Sequence, residues 1–301
     1  MNKALTLTII ARMTANYGEG LGNIGSVQKV FKNGKAYAIR SRESIKNALM
    51  VQSGLYDDLE VDVGKNVTQK TVNEDKNASN SPALEGGYMN TADKSEGGTT
   101  KIRKSSFYLT DAIDFDPFIN ETRFHNNLFL AQTSAKQQGI NLQEGAKEAG
   151  LMPYQYEYSK SLKAYSMTID LDRIGVDDNF HDQADPKERA RRVHALLDGV
   201  ANLSLVVRGN LDNAEPLFIV GGLGDKKTHY FENVISLEDQ KLKISQDLKD
   251  KLDKGYQTGL LRGGNFANEE AIEKELSPLK MDDFFKKLKD EVTAYYEGLE
   301  D

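Results

Sequence analysis

Residues 3–16 alternate. Leu5, Leu7, Ile9, Ala11 and Met13 fall on one face, and Thr6, Thr8, Ile10 and Arg12 on the other. A period of two specifies a strand and decides which face meets the core, so a half-exposed strand is expected here. Val27 to Phe31, the turn pair Asn33-Gly34 and Tyr37 to Ile39 read as a hairpin. Ser41 then offers an N-cap, with Ile45, Ala48, Leu49 and Gln52 on one helical face and Gly54 as a stop, which predicts a helix over residues 42–53.

Two more alternating strands are expected over Ser106–Ile113 and Ser161–Leu171, separated by the polar stretch Gln132–Gly150. Asp185-Pro186-Lys187-Glu188 is a clear helix start, with a cap, a proline at the first position and a glutamate three residues after the cap. Ala190, Val193, Leu196 and Leu197 form that helix's buried stripe, and Gly199 is its expected end. Leu217 to Val220 is a short apolar strand. Beyond residue 236 the chain reads as helical, with Met281, Phe284, Phe285, Leu288 and Val292 on one face of the last segment. The order strand, helix, strand, strand, helix, strand is that of the ferredoxin-like split βαβ, the plan of the RNA recognition motif. The fold class is therefore α+β, a plan that hosts many functions.

Between Tyr56 and Thr100 the periodicity dissolves into Asn, Ser, Gly, Asp and Lys, which predicts an excursion with few core residues. The chain holds no cysteine, which fits a reducing compartment. The apolar run after Lys3 is short and lacks a cleavage site, and no stretch is long enough to cross a bilayer. A soluble, cytoplasmic protein without membrane contact is expected.

The net charge of −7 speaks against nucleic acid, but it is unevenly spread. Residues 1–54 carry eight lysines or arginines against two acids, a net of +6. A basic segment on an acidic chain can hold a polyanion locally. Within it, Arg40-Ser41-Arg42-Glu43-Ser44-Ile45-Lys46 combines a helix start, hydroxyls and two cations four residues apart. Exposed N–H groups, the helix dipole and this shared face suit successive phosphates. An ordinary capped helix with solvated charges explains the same residues.

Catalytic signals are weak. Gly20-Leu21-Gly22-Asn23-Ile24-Gly25 matches the dinucleotide fingerprint, yet a β-branched stretch follows where a helix must begin. A flexible or RNA-contacting loop is the better reading. His125, His181, His194 and His229 have no metal spacing. Asp170, Asp172, Asp177 and Asp178 suit a divalent cation or, more simply, a solvated strand end. No cofactor and no metal are expected.

Leu7-Thr8-Ile9-Ile10-Ala11, Asn16-Tyr17-Gly18-Glu19-Gly20 and the run Ile39 to Leu49 resemble the start of the CRISPR-associated Cas-seven backbone subunits, close to the DevR branch of type I systems. Arg103-Lys104-Ser105, Tyr108 to Ala112, Ala164 to Asp170 and Val206 to Val220 extend the resemblance. The family implies a palm built on the RNA recognition motif (residues 1–54 and 106–225), a finger insertion at 55–105 and a second insertion at 132–150. It also implies a β-hairpin thumb at about 199–215, beside a helical C-terminal extension at 226–301. It implies a non-catalytic subunit of an interference complex (Cascade) that polymerises along CRISPR RNA with other subunits and presents the guide to target DNA. Guide contacts carried over by position are Arg12, Asn16, Lys35, Arg40, Ser41, Arg42, Ser44, Lys46, Arg103, Lys104, Arg208 and Asn210. Where many family members have Ser-Ser-Gln, this chain has Ser41-Arg42-Glu43, and a carboxylate beside phosphate is unfavourable unless Glu43 turns away. Two alternatives are a metal-dependent RNase of the type III kind, using Glu19, and a regulatory nucleic-acid binder.

Overall fold

The computed structural model describes residues 3–17, 24–64, 67–91, 100–120, 122–207 and 209–299. Among them, nine strands form the main sheet. We number these β1 (Ala4–Thr14), β2 (Lys29–Lys32), β3 (Lys35–Arg40), β4 (Phe107–Leu109), β5 (Ala112–Asp114), β6 (Lys160–Asp170), β7 (Pro216–Gly224), β8 (Gln257–Leu260) and β9 (Leu279–Lys280). The helices are α1 (Arg42–Gln52), α2 (Leu128–Gln138), α3 (Pro186–Ala201), α4 (Gln246–Leu252), α5 (Glu269–Leu276) and α6 (Met281–Glu297). The strands lie in the order β9-β8-β7-β1-β6-β5-β3-β2, with β4 also on β6. At the centre, β7, β1, β6 and the β4–β5 pair run antiparallel, and α1 and α3 make the helical connections between them. The chain is α+β, as its element order predicts.

One face of β1 behaves as its alternation requires. Leu5, Leu7, Ile9, Ala11 and Met13 join Ile45 and Leu49 of α1, Val193, Leu196 and Leu197 of α3, and Phe284, Leu288 and Val292 of α6 in one core. The cap at Ser41 and the Asp185 cap on Glu188 N–H (2.8 Å) both form. Gly199, expected to end α3, instead lies inside it. A β-carbon there would sit 3.4 Å from Leu49 Cδ2, so the glycine permits the close crossing of α1 and α3.

The other face of β1 overturns the half-exposed expectation. Only Arg12 is exposed along the strand. Ile10 packs with Phe218 and Val220 of β7, Phe231, Leu248 of α4, Leu260 of β8, Phe266 and Ile272 of α5 in a second core. The threonines are tolerated because their hydroxyls are bonded. Thr6 donates to the Thr228 carbonyl at 3.0 Å, and Thr8 pairs with the Ser166 hydroxyl at 2.8 Å. The C-terminal region that builds this core is not purely helical, since β8 and β9 extend the sheet. Neither strand exceeds four residues, too short for periodicity to show.

The 55–105 segment is better anchored than its composition suggests. Its described residues bury Leu55, Ala78, Ala83, Leu84 and Tyr88. The fully buried Glu85 carboxylate accepts from Arg192 at 2.8 Å, Arg103 at 3.2 Å, Gly175 N–H at 2.7 Å and the Ser106 hydroxyl. Arg192 also donates to the carbonyls of Ala78 and Ser79, stapling the segment to α3. Charge-assisted hydrogen bonds here do what apolar burial does elsewhere. The Gln132–Gly150 stretch likewise holds structure, since most of α2 falls in it, with Ala131 and Ala135 buried and Gly139 left-handed at the cap (φ 69°). No helix among the described residues is long and apolar enough to cross a membrane.

Removing a single partner from a buried ion network strands the others. Glu85→Ala should therefore cost about 3–5 kcal/mol of unfolding free energy in urea titrations, whereas a loss below roughly 1 kcal/mol would contradict this anchoring.

Candidate nucleic-acid interface

Three elements converge at the start of α1. Asn16, just past β1, accepts the Ser41 N–H on its side-chain oxygen at 2.7 Å. Its own N–H donates to the Ile39 carbonyl at 3.2 Å, and its carbonyl accepts from Gln28 N–H at 2.9 Å. The end of β1, the β2–β3 hairpin and the helix start are thereby locked together. Ser41 then caps the helix, its hydroxyl accepting the Ser44 N–H at 3.3 Å.

The Arg42 N–H donates to Asp111 Oδ1 at 2.8 Å. A carboxylate of the protein thus already sits where the sequence suggested a phosphate at the helix terminus. The Arg42 side chain remains available. It is 57% exposed, rests on Glu43 at 2.9 Å and lies 3.9 Å from Asp111. Arg42 stands between two clefts. The larger, about 780 Å³, is lined by Lys32, Tyr37, Thr110 and Ser166 among others. The smaller, about 230 Å³, is shared with Lys46, Ser105 and Tyr108. Arg42 and Lys46 are therefore brought together, as their spacing predicts.

Lys46 points inward, however. Its ammonium donates to the Gly86 carbonyl at 2.7 Å and to Ser105 Oγ at 3.0 Å, above the Phe107 ring. Burial lowers its pKa against the opposing pull of Glu43. Lys70 lies alongside, donating to the Ala83 carbonyl at 2.6 Å. A β-carbon at Gly86 would be 3.4 Å from one ammonium and 3.8 Å from the other. Burial, then the charge of Lys46, pushes the Lys70 pKa down to about 8.

The remaining expected contacts scatter. Arg12, Lys35 and Lys104 are exposed, as is Asn210 on the hairpin Ser204–Val207/Asn210–Asn213. Arg208 and Glu19 lie outside the described residues. Arg103 is buried at 4%, bonded to Glu85, Ser106 and the carbonyls of Leu84, Val176 and Arg173, so it holds the fold rather than facing a ligand. Arg40 is also buried, and desolvation lowers its pKa with Asp212 opposing. Near it lie Lys163, on Asp114 at 2.5 Å, and Asp212, which accepts from Thr14 N–H at 2.6 Å and meets Lys160 at 2.5 Å. Asp212 thereby anchors the hairpin to β1. The aspartates weighed for a cation are engaged otherwise. Lys227 bridges Asp170 and Asp172, and Asp177 accepts from Tyr88 and Ala78 N–H.

Asp111, Asp212, Lys70 and Lys163 were not singled out from the sequence. Each acts through a partner tens of residues away, which spacing cannot reveal.

By fold the chain is similar to subunits of CRISPR RNA-guided surveillance complexes. One such chain, from a complex described as pre-nicking, superimposes with a TM-score of 0.54 at 9% identity, covering 86% of this chain and 93% of that one. A second gives a TM-score of 0.54 at 12% identity, covering 97% and 99%. The family described as CRISPR-associated negative auto-regulator DevR/Csa2 matches residues 6–241, and the chain belongs to it. No curated protein matches the sequence.

Between the folded pKa of Lys70, about 8, and the ordinary lysine value of 10.5, the unfolded chain binds the extra proton. The contribution of Lys70 to stability therefore rises with pH across that window. Chemical denaturation of wild type and Lys70→Met at pH 7 and 9.5 should show the variant relatively more stable at the lower pH. A difference that does not change with pH would contradict the assignment.

Proposed function

We propose that this chain is a non-catalytic backbone subunit that binds CRISPR RNA, repeats along the guide in a type I interference complex, and leaves base edges free to pair with target DNA. The observation that carries the reading is the exposed Arg42 at the junction of two clefts in a chain of this CRISPR-associated family. Arg12, Lys35 and Lys104 add exposed positive charge. The four central strands with α1 and α3 follow the RNA recognition motif order and serve as the palm. The 55–105 segment serves as fingers. The Ser204–Asn213 hairpin serves as the thumb, presenting Val206 (71% exposed) directly opposite Leu211 (69%) to a neighbouring copy.

Phosphate does not fill an empty hole at α1. It displaces Glu43 from Arg42, and the guanidinium exchanges one anion for another. Such contacts are indifferent to base identity.

Replacing Arg42 with Ala should weaken binding of single-stranded RNA by a similar factor for unrelated sequences. The slope of log K against log salt should become shallower by up to about 0.7 for the lost phosphate contact. Fluorescence anisotropy across a salt series reads both, and an unchanged slope and affinity would remove Arg42 from the interface.

A further inference from the structure

The hairpin Ser204–Val207/Asn210–Asn213 leaves the body between α3 and β7. Across its strands Leu205 pairs with Asp212, and Val206 with Leu211. Side chains alternate along a strand, so Leu205 and Asp212 turn inward while Val206 and Leu211 turn out. Leu205 is buried in the first core, and Asp212 reaches Thr14 N–H at 2.6 Å and Lys160 at 2.5 Å. Just below, Leu203 and Ala214 are buried too, with the Ala214 N–H on the Leu203 carbonyl at 2.8 Å. Contacts along a midline resist bending of the hairpin but not a roll about its own length.

One edge is held separately. In an antiparallel ladder alternate residues turn both backbone groups away from the partner strand. Those of Ser204 meet Gln52, the last residue of α1. The Ser204 N–H donates to Gln52 Oε1 at 3.0 Å, and the Gln52 amide donates in return to the Ser204 carbonyl. A primary amide offers the donor and the acceptor of a peptide group, so Gln52 stands in for one rung of a neighbouring strand. Its side chain does no core packing, since Gln52 is exposed although it continues the apolar stripe of α1. The clamp sits off the midline, where it opposes a roll.

We infer that Gln52 is a positioning residue that fixes the roll of the hairpin, and with it the direction in which Val206 and Leu211 meet a neighbouring copy. The inference rests on the RNA reading above and names what sets the geometry of its repetition. Helix α1 is the common reference. Arg42 at its start and Gln52 at its end lie about 15 Å apart along the axis. Between them Ile45, Leu49 and Met50 are buried, and the close crossing at Gly199 holds the helix against α3. A phosphate on Arg42 and the apolar pair on the hairpin are thereby referred to one rigid element. Each copy then carries the same step from guide to neighbour. Without the clamp the hairpin stays attached through Asp212 and Leu205, but its outer face no longer has a set direction.

The test uses the full chain and Gln52→Met, which removes both hydrogen bonds at an exposed position and keeps a good helix former. The melting temperature should stay within about 2 °C of wild type. Amide exchange in residues 204–207 and 210–213 should quicken while that of α1 does not change. A fluorescent oligouridylate too short for two copies should bind both proteins within about twofold, because the phosphate site is distant. A long oligouridylate should bind wild type cooperatively and the variant about fivefold or more weakly, the lower end of a coupling between sites. Gln52→Glu keeps an acceptor for the Ser204 N–H but no donor, and should fall between the two. A merely structural role would not weaken the long strand and spare the short one. Wild-type cooperativity in Gln52→Met, or unchanged exchange in its hairpin, overturns the inference. Equal weakening on both oligomers also overturns it, since Gln52 then acts through the phosphate site. A wild type that binds long RNA without cooperativity overturns it and leaves RNA binding intact. A wild type that binds neither oligomer overturns the RNA reading itself, and this inference with it.

Discussion

Strand β1 has no free face. Its odd-numbered residues from Leu5 to Met13 enter the core beneath α1, α3 and α6, and Ile10 enters the core made by the C-terminal elements. A slip of one residue would drive Thr6, Thr8 and Arg12 into the first core and the large aliphatics into the second, so the register is fixed from both sides. The short segment that leaves the strand inherits that precision. Thr14 N–H holds Asp212 of the hairpin, Ala15 N–H donates to the Ser159 carbonyl, and Asn16 fastens both the β2–β3 hairpin and the start of α1. The hairpin and the helix terminus are both anchored from these few residues.

Charge is used twice in this chain, and burial decides which use prevails. Arg40, Arg103, Lys163 and Arg192 are taken into the interior, the last three bound to carboxylates or carbonyls. Buried ions contribute little net stability, yet they hold a geometry because breaking any pair strands its partner. Lys29, on Glu157 at 2.5 Å, and Lys46 are also committed within the protein. The positive surface left in the N-terminal segment is therefore smaller than its charge count implies. Asp111 and Glu43 lie next to what remains, so a polyanion must compete with the protein's own carboxylates. That arrangement favours binding that depends on salt and on many repeated weak contacts.

The legible parts of the sequence were those where local rules agree with the tertiary outcome. The alternation of β1 and β6, the turn at Asn33-Gly34 (φ 51° and 75°) and the caps at Ser41 and Asp185 all follow from nearby residues. Gly199 misled because a glycine in a helix can serve a helix crossing as well as an end. The double burial of β1 was invisible because the residues covering its second face lie more than two hundred positions away and come from short strands and helices. At the site, sequence placed Ser41, Arg42 and Lys46 together at one helix start, while the contact of Asn16 with Ser41 came from the structure. It could not show that Lys46 and Arg103 turn inward, because an exposed and a buried cation look alike in a sequence. Nor could it place Tyr17 beside Tyr156, a contact made through strand pairing across the chain.

The central claim is that many copies of this chain share one RNA strand. The most direct measurement is the mass of the particle purified after co-expression with a CRISPR array and its processing enzyme, together with sequencing of any RNA it retains. The account predicts a multimer of this chain with guide RNA of defined length, its mass rising by whole subunits when the guide is lengthened. A monomer free of RNA, or an RNA complex of one copy whose mass ignores guide length, would contradict it.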